Sequence, residues 1–188
     1  MAGHSFGGGA TVEAAFVLGG RVERLILLDV ALGLGSEDVG PPMAGLLGMR
    51  WLRNAVMSAT FTNPLMIGKG LRDFIHDDAL VTPERIALYR RPLDRPGTTE
   101  AVGDWFMTGL FGDERATRAA DPDAYRAFTA PVLVIWGRED TVTPLDQGLA
   151  IAALFPDARL AVLEDVNHIP HVEAPAKTAE LIAAFLRE

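Results

Sequence analysis

Gly3-His4-Ser5-Phe6-Gly7-Gly8-Gly9, followed by an apolar stretch to Leu18 and by Leu25-Ile26-Leu27-Leu28-Asp29, is the segment whose reading decides the fold. Its first five residues match G-x-S-x-G. A nucleophile held on a sharp strand-to-helix turn sits in a strained backbone conformation, and flanking glycines let neighbouring backbone pass close by. The turn also presents the hydroxyl at a helix N-terminus, where developing negative charge is favoured. On this stretch alone a plain glycine-rich helix entry with a Ser cap reads equally well. A phosphate-binding loop does not, because no Lys follows the glycines at the required place. Ala10, Ala14, Val17 and Leu18 recur at helical spacing, and Gly19-Gly20 should end that helix. Leu25–Leu28 is a short continuous apolar run between Arg24 and Asp29, as expected of a buried parallel strand.

Working outward, Pro131-Val132-Leu133-Val134-Ile135-Trp136 reads as a second buried strand, stopped by Gly137. Thr143 is a candidate N-cap with Pro144 at the first helical position, opening a helix to about Phe155. Leu160–Leu163 reads as a third strand, and Ala174–Leu186 as a closing amphipathic helix with Leu181, Ile182, Phe185 and Leu186 inward. Strands alternating with helices imply crossover connections and a parallel α/β sheet. The expectation is three parallel strands, adjacent in sequence order. Between the first two lies a stretch broken by Pro41-Pro42, Pro64, Gly68, Gly70, Pro83, Pro92 and Pro96. Its pieces at Leu46–Met57, Leu65–Ile75 and Pro83–Arg90 have helical spacing, and no strand is legible there. Residues 1–35 and 129–188 therefore read as the core, and 36–128 as an inserted helical cap.

Composition narrows the function. With 188 residues, 49% hydrophobic and 22% charged, the chain can bury a sizeable core. Its formal charge of −8 argues against a nucleic-acid partner. The absence of Cys removes disulfides, thiolate zinc sites and a Cys nucleophile, and fits a reducing, cytoplasmic setting. No apolar run approaches the roughly 18 residues of a membrane span, and Met1–Gly9 does not have the pattern of a signal peptide.

A Ser hydroxyl needs a base. The four His are His4, His76, His168 and His171. His168 follows the strand ending at Leu163, at the carboxyl end of a parallel strand, where ligands gather in α/β sheets. His171 is its nearest rival. His168-x-x-His171 as a metal pair wants a third ligand at a convincing spacing. His4 reads as structural and His76 as a surface residue of the cap. A base in turn needs an orienting carboxylate. Asp140, just beyond Trp136, is the first choice; Glu139 is second, and Asp29, at the equivalent end of the Leu25–Leu28 strand, is third.

In the order Ser5…Asp140…His168, and in Gly3–Gly8, Pro131–Asp140 and Asn167–Pro175, the chain resembles the α/β-hydrolases. Specifically, it resembles the cap-bearing members related to esterases, haloperoxidase-like enzymes and carbon–carbon bond hydrolases. The resemblance covers essentially the whole chain and implies Ser5 as nucleophile, His168 as base, Asp140 as its orienter and the Phe6 backbone N–H as an oxyanion donor. It implies acyl transfer to water from a small, apolar, carbonyl-containing substrate, with no metal or organic cofactor. Trp51, Phe61, Phe74, Trp105, Phe106 and Phe111 suit an apolar pocket or the packing of the cap. Ser at the elbow argues against relatives that place Asp there. Perhydrolase, hydroxynitrile-lyase-like or purely non-catalytic binding roles on the same scaffold stay open. Only Met1 and Ala2 precede Gly3, so the chain also resembles a C-terminal portion of such a protein. On that reading no strand leads into the elbow, Leu25–Leu28 forms a sheet edge, and the isolated chain is a poor enzyme.

Overall fold

A computed structural model describes residues 1–32, 41–111 and 117–188, without the side chains of 41–44 and 108–111. The boundary expected at Ser36 and the Phe111 side chain fall outside the described residues. The chain divides into two compact units: Met1–Leu34 with Asp73–Asp78 and Glu114–Glu188, and Gly35–Arg72 with Ala79–Asp113.

The first unit is built on a parallel sheet. Its strands are β1 (Ala2–His4), β2 (Leu25–Leu28), β3 (Val132–Gly137) and β4 (Ala158–Leu163), in the spatial order β1-β2-β3-β4. The expectation of three strands is corrected. Ala2, Gly3 and His4 pair with Ile26, Leu27 and Leu28, so a strand does lead into the elbow. Three residues suffice because β2 presents an unfilled row of backbone donors and acceptors beside them. Among the described residues β2 is consequently an interior strand, and β1 and β4 are the edges of the sheet.

All residues of β2 and β3 are buried, the pattern of strands covered on both faces. Period-two alternation divides them between two clusters. Leu25, Leu27, Val132, Val134 and Trp136 pack with Phe16, Tyr125, Phe128 and Phe155. Ile26, Leu28, Leu133 and Ile135 pack on the opposite face with Leu163, Val166 and Phe185.

The helices of this unit are α1 (Gly7–Leu18), α7 (Pro122–Ala127), α8 (Leu145–Leu154), α9 (Pro170–Glu173) and α10 (Pro175–Arg187), numbered in chain order with those of the second unit. α1 begins three residues earlier than its apolar spacing suggested, and it buries a different face. Val12, Ala15 and Phe16 point inward, whereas Val17 is 60% exposed. Phe16 decides this, since its ring packs against Tyr125, Phe128 and Phe155 at centroid distances of 4.9, 5.7 and 6.3 Å. α8 starts at Leu145 with Pro144 as N-cap, one position later than expected, because the Thr143 hydroxyl is engaged elsewhere. Leu186, placed in the inward stripe of α10, is exposed. The helix α7 was not legible from apolar spacing; its N-cap Asp121 accepts the N–H of Asp123.

The second unit holds α2 (Pro41–Gly48), α3 (Arg50–Ala59), α5 (Pro83–Arg90) and α6 (Thr98–Phe111), together with the body of α4 (Ile67–Phe74). Leu46–Met57, read as one helical piece, is split at Met49, whose backbone is extended. Arg53 of α3 pairs with Asp104 of α6, and the Phe61 ring packs against that of Phe106, tilted by 45°, at a centroid distance of 4.9 Å. Among the described residues no helix is long and apolar enough to cross a membrane.

Candidate active site

Ser5 follows β1 directly and takes a left-handed backbone conformation, with φ of +49°. That costs a non-glycine residue roughly 1–2 kcal/mol, so its surroundings must hold it. They do so on both sides of the peptide. The Ser5 N–H donates to the Leu28 carbonyl at 3.1 Å, and the Ser5 carbonyl accepts the N–H groups of Gly8 at 2.9 Å and Ala31 at 3.0 Å. The glycines beside it do unequal work. A Cβ on Gly3 would lie 2.6 Å from Thr11 Oγ1, and one on Gly8 would lie 2.3 Å from Val30 Cβ. A Cβ on Gly7 would meet nothing within 4 Å. Close approach therefore belongs to Gly3 and Gly8, not to Gly7 of the G-x-S-x-G pattern. Phe6 occupies the N-cap position of α1.

The imidazole of His168 lies between Ser5 and Asp140. Its Nε2 is 2.8 Å from Ser5 Oγ, and its Nδ1 is 2.8 Å from Asp140 Oδ2. His168 and Asp140 are 3% and 5% exposed. Asp140 sits in a tight turn in which Oδ1 accepts the N–H groups of Val142 and Thr143, each at 2.8 Å. Its Oδ2 also accepts the Thr143 hydroxyl at 2.6 Å. Burial alone would raise the Asp140 pKa, but hydrogen bonds from His168 and Thr143 outweigh it and hold the carboxyl below the usual carboxylate range. An ionised Asp140 accepts only. Nδ1 must then carry the imidazole proton, which leaves the Nε2 lone pair facing the serine hydroxyl.

Asp29 ends β2 as Ser5 ends β1, also with positive φ, at +41°. Its Oδ1 accepts the Gly137 N–H at 2.8 Å. Its Oδ2 is buried without a hydrogen-bond partner among the described residues. Burial foremost, with repulsion from Asp140 and Glu173, pushes the Asp29 pKa up to about 9, so at neutral pH this side chain keeps its proton.

The remaining candidates fall into place around these. Glu139 accepts the Val166 N–H at 3.1 Å. His4 Nε2 is 2.7 Å from the His168 carbonyl, and the His171 ring meets His4 edge-on at 4.8 Å. Burial lowers the pKa of both His4 and His171. The exposed His76 gives its backbone N–H to Glu173 at 2.7 Å. Phe74 lies in the sheet-bearing unit, with its ring 5.5 Å from that of His168. Among the described residues the one group able to offer a cation three ligand atoms is Asp29, Asp140 and His168, within 4.8 Å of one another. A cation there would have to displace the Asp29 proton and the His168–Asp140 hydrogen bond; His171 is not part of the group.

Sequence reasoning missed Thr143 as a partner of Asp140, and Glu173 as a partner of the His168 loop. Asp140-Thr141-Val142-Thr143 did carry a signal for the first, since an Asp commonly accepts backbone N–H groups two and three residues on.

The family described as "Alpha/beta hydrolase family" matches residues 1–181. The chain is 32% identical over 193 aligned residues to 2-hydroxymuconate semialdehyde hydrolase of Pseudomonas putida, covering all of this chain and 62% of that protein. Among solved structures it is similar to a meta-cleavage product hydrolase of Pseudomonas fluorescens, with a TM-score of 0.74, 25% identity, and 99% and 63% of the two chains covered. It also shares its fold with a 2-hydroxy-6-oxo-6-phenylhexa-2,4-dienoate hydrolase of a Rhodococcus species, with a TM-score of 0.75, 20% identity, and 100% and 63% covered. The chain thus spans about three fifths of the length of these relatives.

Proposed function

This chain belongs to the alpha/beta hydrolase family, and we propose that it carries the nucleophile, base and acid of a serine hydrolase acting at a carbonyl group. The observation that carries this reading is the single imidazole that reaches Ser5 Oγ and Asp140 Oδ2 at 2.8 Å on its two sides. In the proposed reaction Ser5 Oγ bonds to the carbonyl carbon while His168 Nε2 takes its proton. Asp140 keeps the imidazole in the tautomer this requires and stabilises the imidazolium that forms. The carbonyl oxygen becomes an oxyanion at the N-terminus of α1, where the Phe6 N–H and the helix dipole favour negative charge. Collapse breaks the bond to the leaving group, which departs with the proton from Nε2. Water, deprotonated by the same nitrogen, then splits the acyl-enzyme and restores the Ser5 hydroxyl. The chemistry needs neither metal nor organic cofactor.

The substrate is a small, carbonyl-containing compound. The names of the relatives favour a carbon–carbon bond beside a keto group over a simple ester as the bond cleaved. Of the stretch inserted between β2 and β3, the unit Gly35–Arg72 with Ala79–Asp113 is the cap in this reading, whereas α7, with Tyr125 and Phe128, belongs to the sheet-bearing unit; the cytoplasm is the chain's setting.

The test is labelling with a fluorophosphonate, followed by peptide mass spectrometry and by turnover of p-nitrophenyl acetate and 2-hydroxymuconate semialdehyde. Adduct on Ser5, lost in Ser5→Ala and His168→Ala, is expected. Adduct on another residue, or undiminished labelling in His168→Ala, overturns the assignment.

A further inference from the structure

We propose that Glu173 is a positioning residue for His168, an inference that rests on the reading of His168 as the base. His168 is carried on a loop, and a loop places a side chain only as well as its main chain is held. Here that main chain is anchored at every peptide around the histidine. The His168 N–H donates to the Phe74 carbonyl at 3.1 Å, and its carbonyl accepts from His4 Nε2. On either side, the N–H of Asn167 donates to Glu173 Oε1 and Oε2 at 3.2 and 3.1 Å, and the N–H of Ile169 to Oε1 at 3.0 Å. The Oε2 atom takes the His76 N–H as well.

One carboxylate therefore gathers N–H groups from three points of the chain, two of them flanking His168. A carboxylate suits this, because it offers two oxygens and no donor; an amide would turn an NH2 group toward one of these donors. Hydrogen bonds to a charged acceptor are also roughly twice as strong as neutral ones. Neither side of the imidazole has slack, with 2.8 Å to each partner. The loop cannot relax toward the sheet either. Val166 and Asn167 pass so close to Gly137 that a Cβ there would lie 2.4 and 1.9 Å from their carbonyl oxygens. A displacement of the loop backbone thus passes directly to Nε2, and a misplacement of about 1 Å costs roughly 10²-fold in rate.

The experiment compares the full chain with Glu173→Gln and Glu173→Asp. The readouts are the maximal rate of Ser5 phosphonylation, the probe concentration at half that rate, the far-downfield proton resonance of the His168–Asp140 hydrogen bond, and Tm. Glu173→Gln should lower the maximal rate by roughly 10²-fold at unchanged half-saturation, and should shift or broaden the resonance. Glu173→Asp, which keeps the charge, should recover part of both. An unchanged maximal rate and resonance in Glu173→Gln, despite a lowered Tm, would reduce Glu173 to a structural residue and overturn the proposal. Should Glu173→Gln not fold, Glu173→Ala is read in its place below its Tm, and a wild-type maximal rate and resonance in that variant overturn the proposal equally. His168→Ala separates the two readings: if that variant labels as fast as the parent, it is the assignment of the base that fails.

Discussion

The hydroxyl of Thr143 donates to Asp140 Oδ2 across 2.6 Å, and the same carboxylate oxygen lies 2.8 Å from Nδ1 of His168. One oxygen so holds two donors, and the threonine limits how the carboxylate can turn beneath the imidazole. Hydrogen bonds to charged groups contribute about 1.5–3 kcal/mol. Thr143→Val, nearly isosteric and buried, should lower unfolding stability by about that amount and slow Ser5 phosphonylation, while Thr143→Ser should restore both. Urea unfolding with labelling kinetics measures this; equal behaviour of the valine and serine variants would show that the hydroxyl is idle.

Ser5→Ala and His168→Ala should each abolish hydrolysis. Asp140→Asn should leave the fold intact and reduce turnover by roughly 10⁴-fold, because the amide favours the wrong imidazole tautomer. His171→Ala should change the rate little, since its ring meets that of His4 rather than the reacting atoms. Steady-state kinetics on the four variants decides the matter, and a lethal His171→Ala beside a mild His168→Ala would reverse the choice of base.

Gly8→Ala and Gly7→Ala should diverge sharply although the two residues are adjacent. At Gly8 the new methyl would stand 2.3 and 2.4 Å from two atoms of Val30 and 3.3 Å from its Cα. Overpacking of that kind costs about 1–3 kcal/mol, and it would push α1 away from the Ser5 turn. At Gly7 the methyl enters open space, and Ala is the better helix former. Thermal unfolding should therefore show a drop in Tm for the first and none for the second; two equal drops would mean that the elbow packs differently.

The contribution of Asp29 to stability should fall as pH rises from about 4 toward about 9. Asp29 loses its proton near its ordinary pKa of about 3.9 when unfolded but only at about 9 when folded. Across that window the folded state binds the extra proton, so raising the pH favours unfolding, by up to about 1.4 kcal/mol per pH unit for one such group. Above about 9 the effect levels off, as both states are then ionised. Asp29→Asn, neutral throughout, should remove this part of the slope. Urea titrations at several pH values test it, and parallel curves for the two proteins would show that Asp29 is ionised in the fold.

Much of this protein is legible in one dimension. Leu25–Leu28 and Val132–Trp136 are apolar without interruption, and a strand covered on both faces has no other way to be written. Gly3-His4-Ser5-Phe6-Gly7, with an acid beyond the second run and a histidine beyond the third, names the residues that meet. The three-residue β1 and the helix α7 were not legible, since neither is long enough to show a period. The buried face of α1 was misread for another reason: alanines at helical spacing say little about orientation until Phe16 finds its aromatic neighbours.

The choice between the acids at the two strand ends belonged to the tertiary structure. Asp29 and Asp140 follow adjacent parallel strands, whose spacing is about 4.8 Å, so either carboxyl can be drawn beside His168 from the sequence. The turn at Asp140 supplies the N–H groups of Val142 and Thr143 and the Thr143 hydroxyl, which keep that carboxylate charged and turned toward Nδ1. Among the described residues Asp29 receives a single N–H, from Gly137, and it stays buried and protonated. Sequence order put two carboxyls within reach of one imidazole; the hydrogen bonds made after folding determined which of them is ionised.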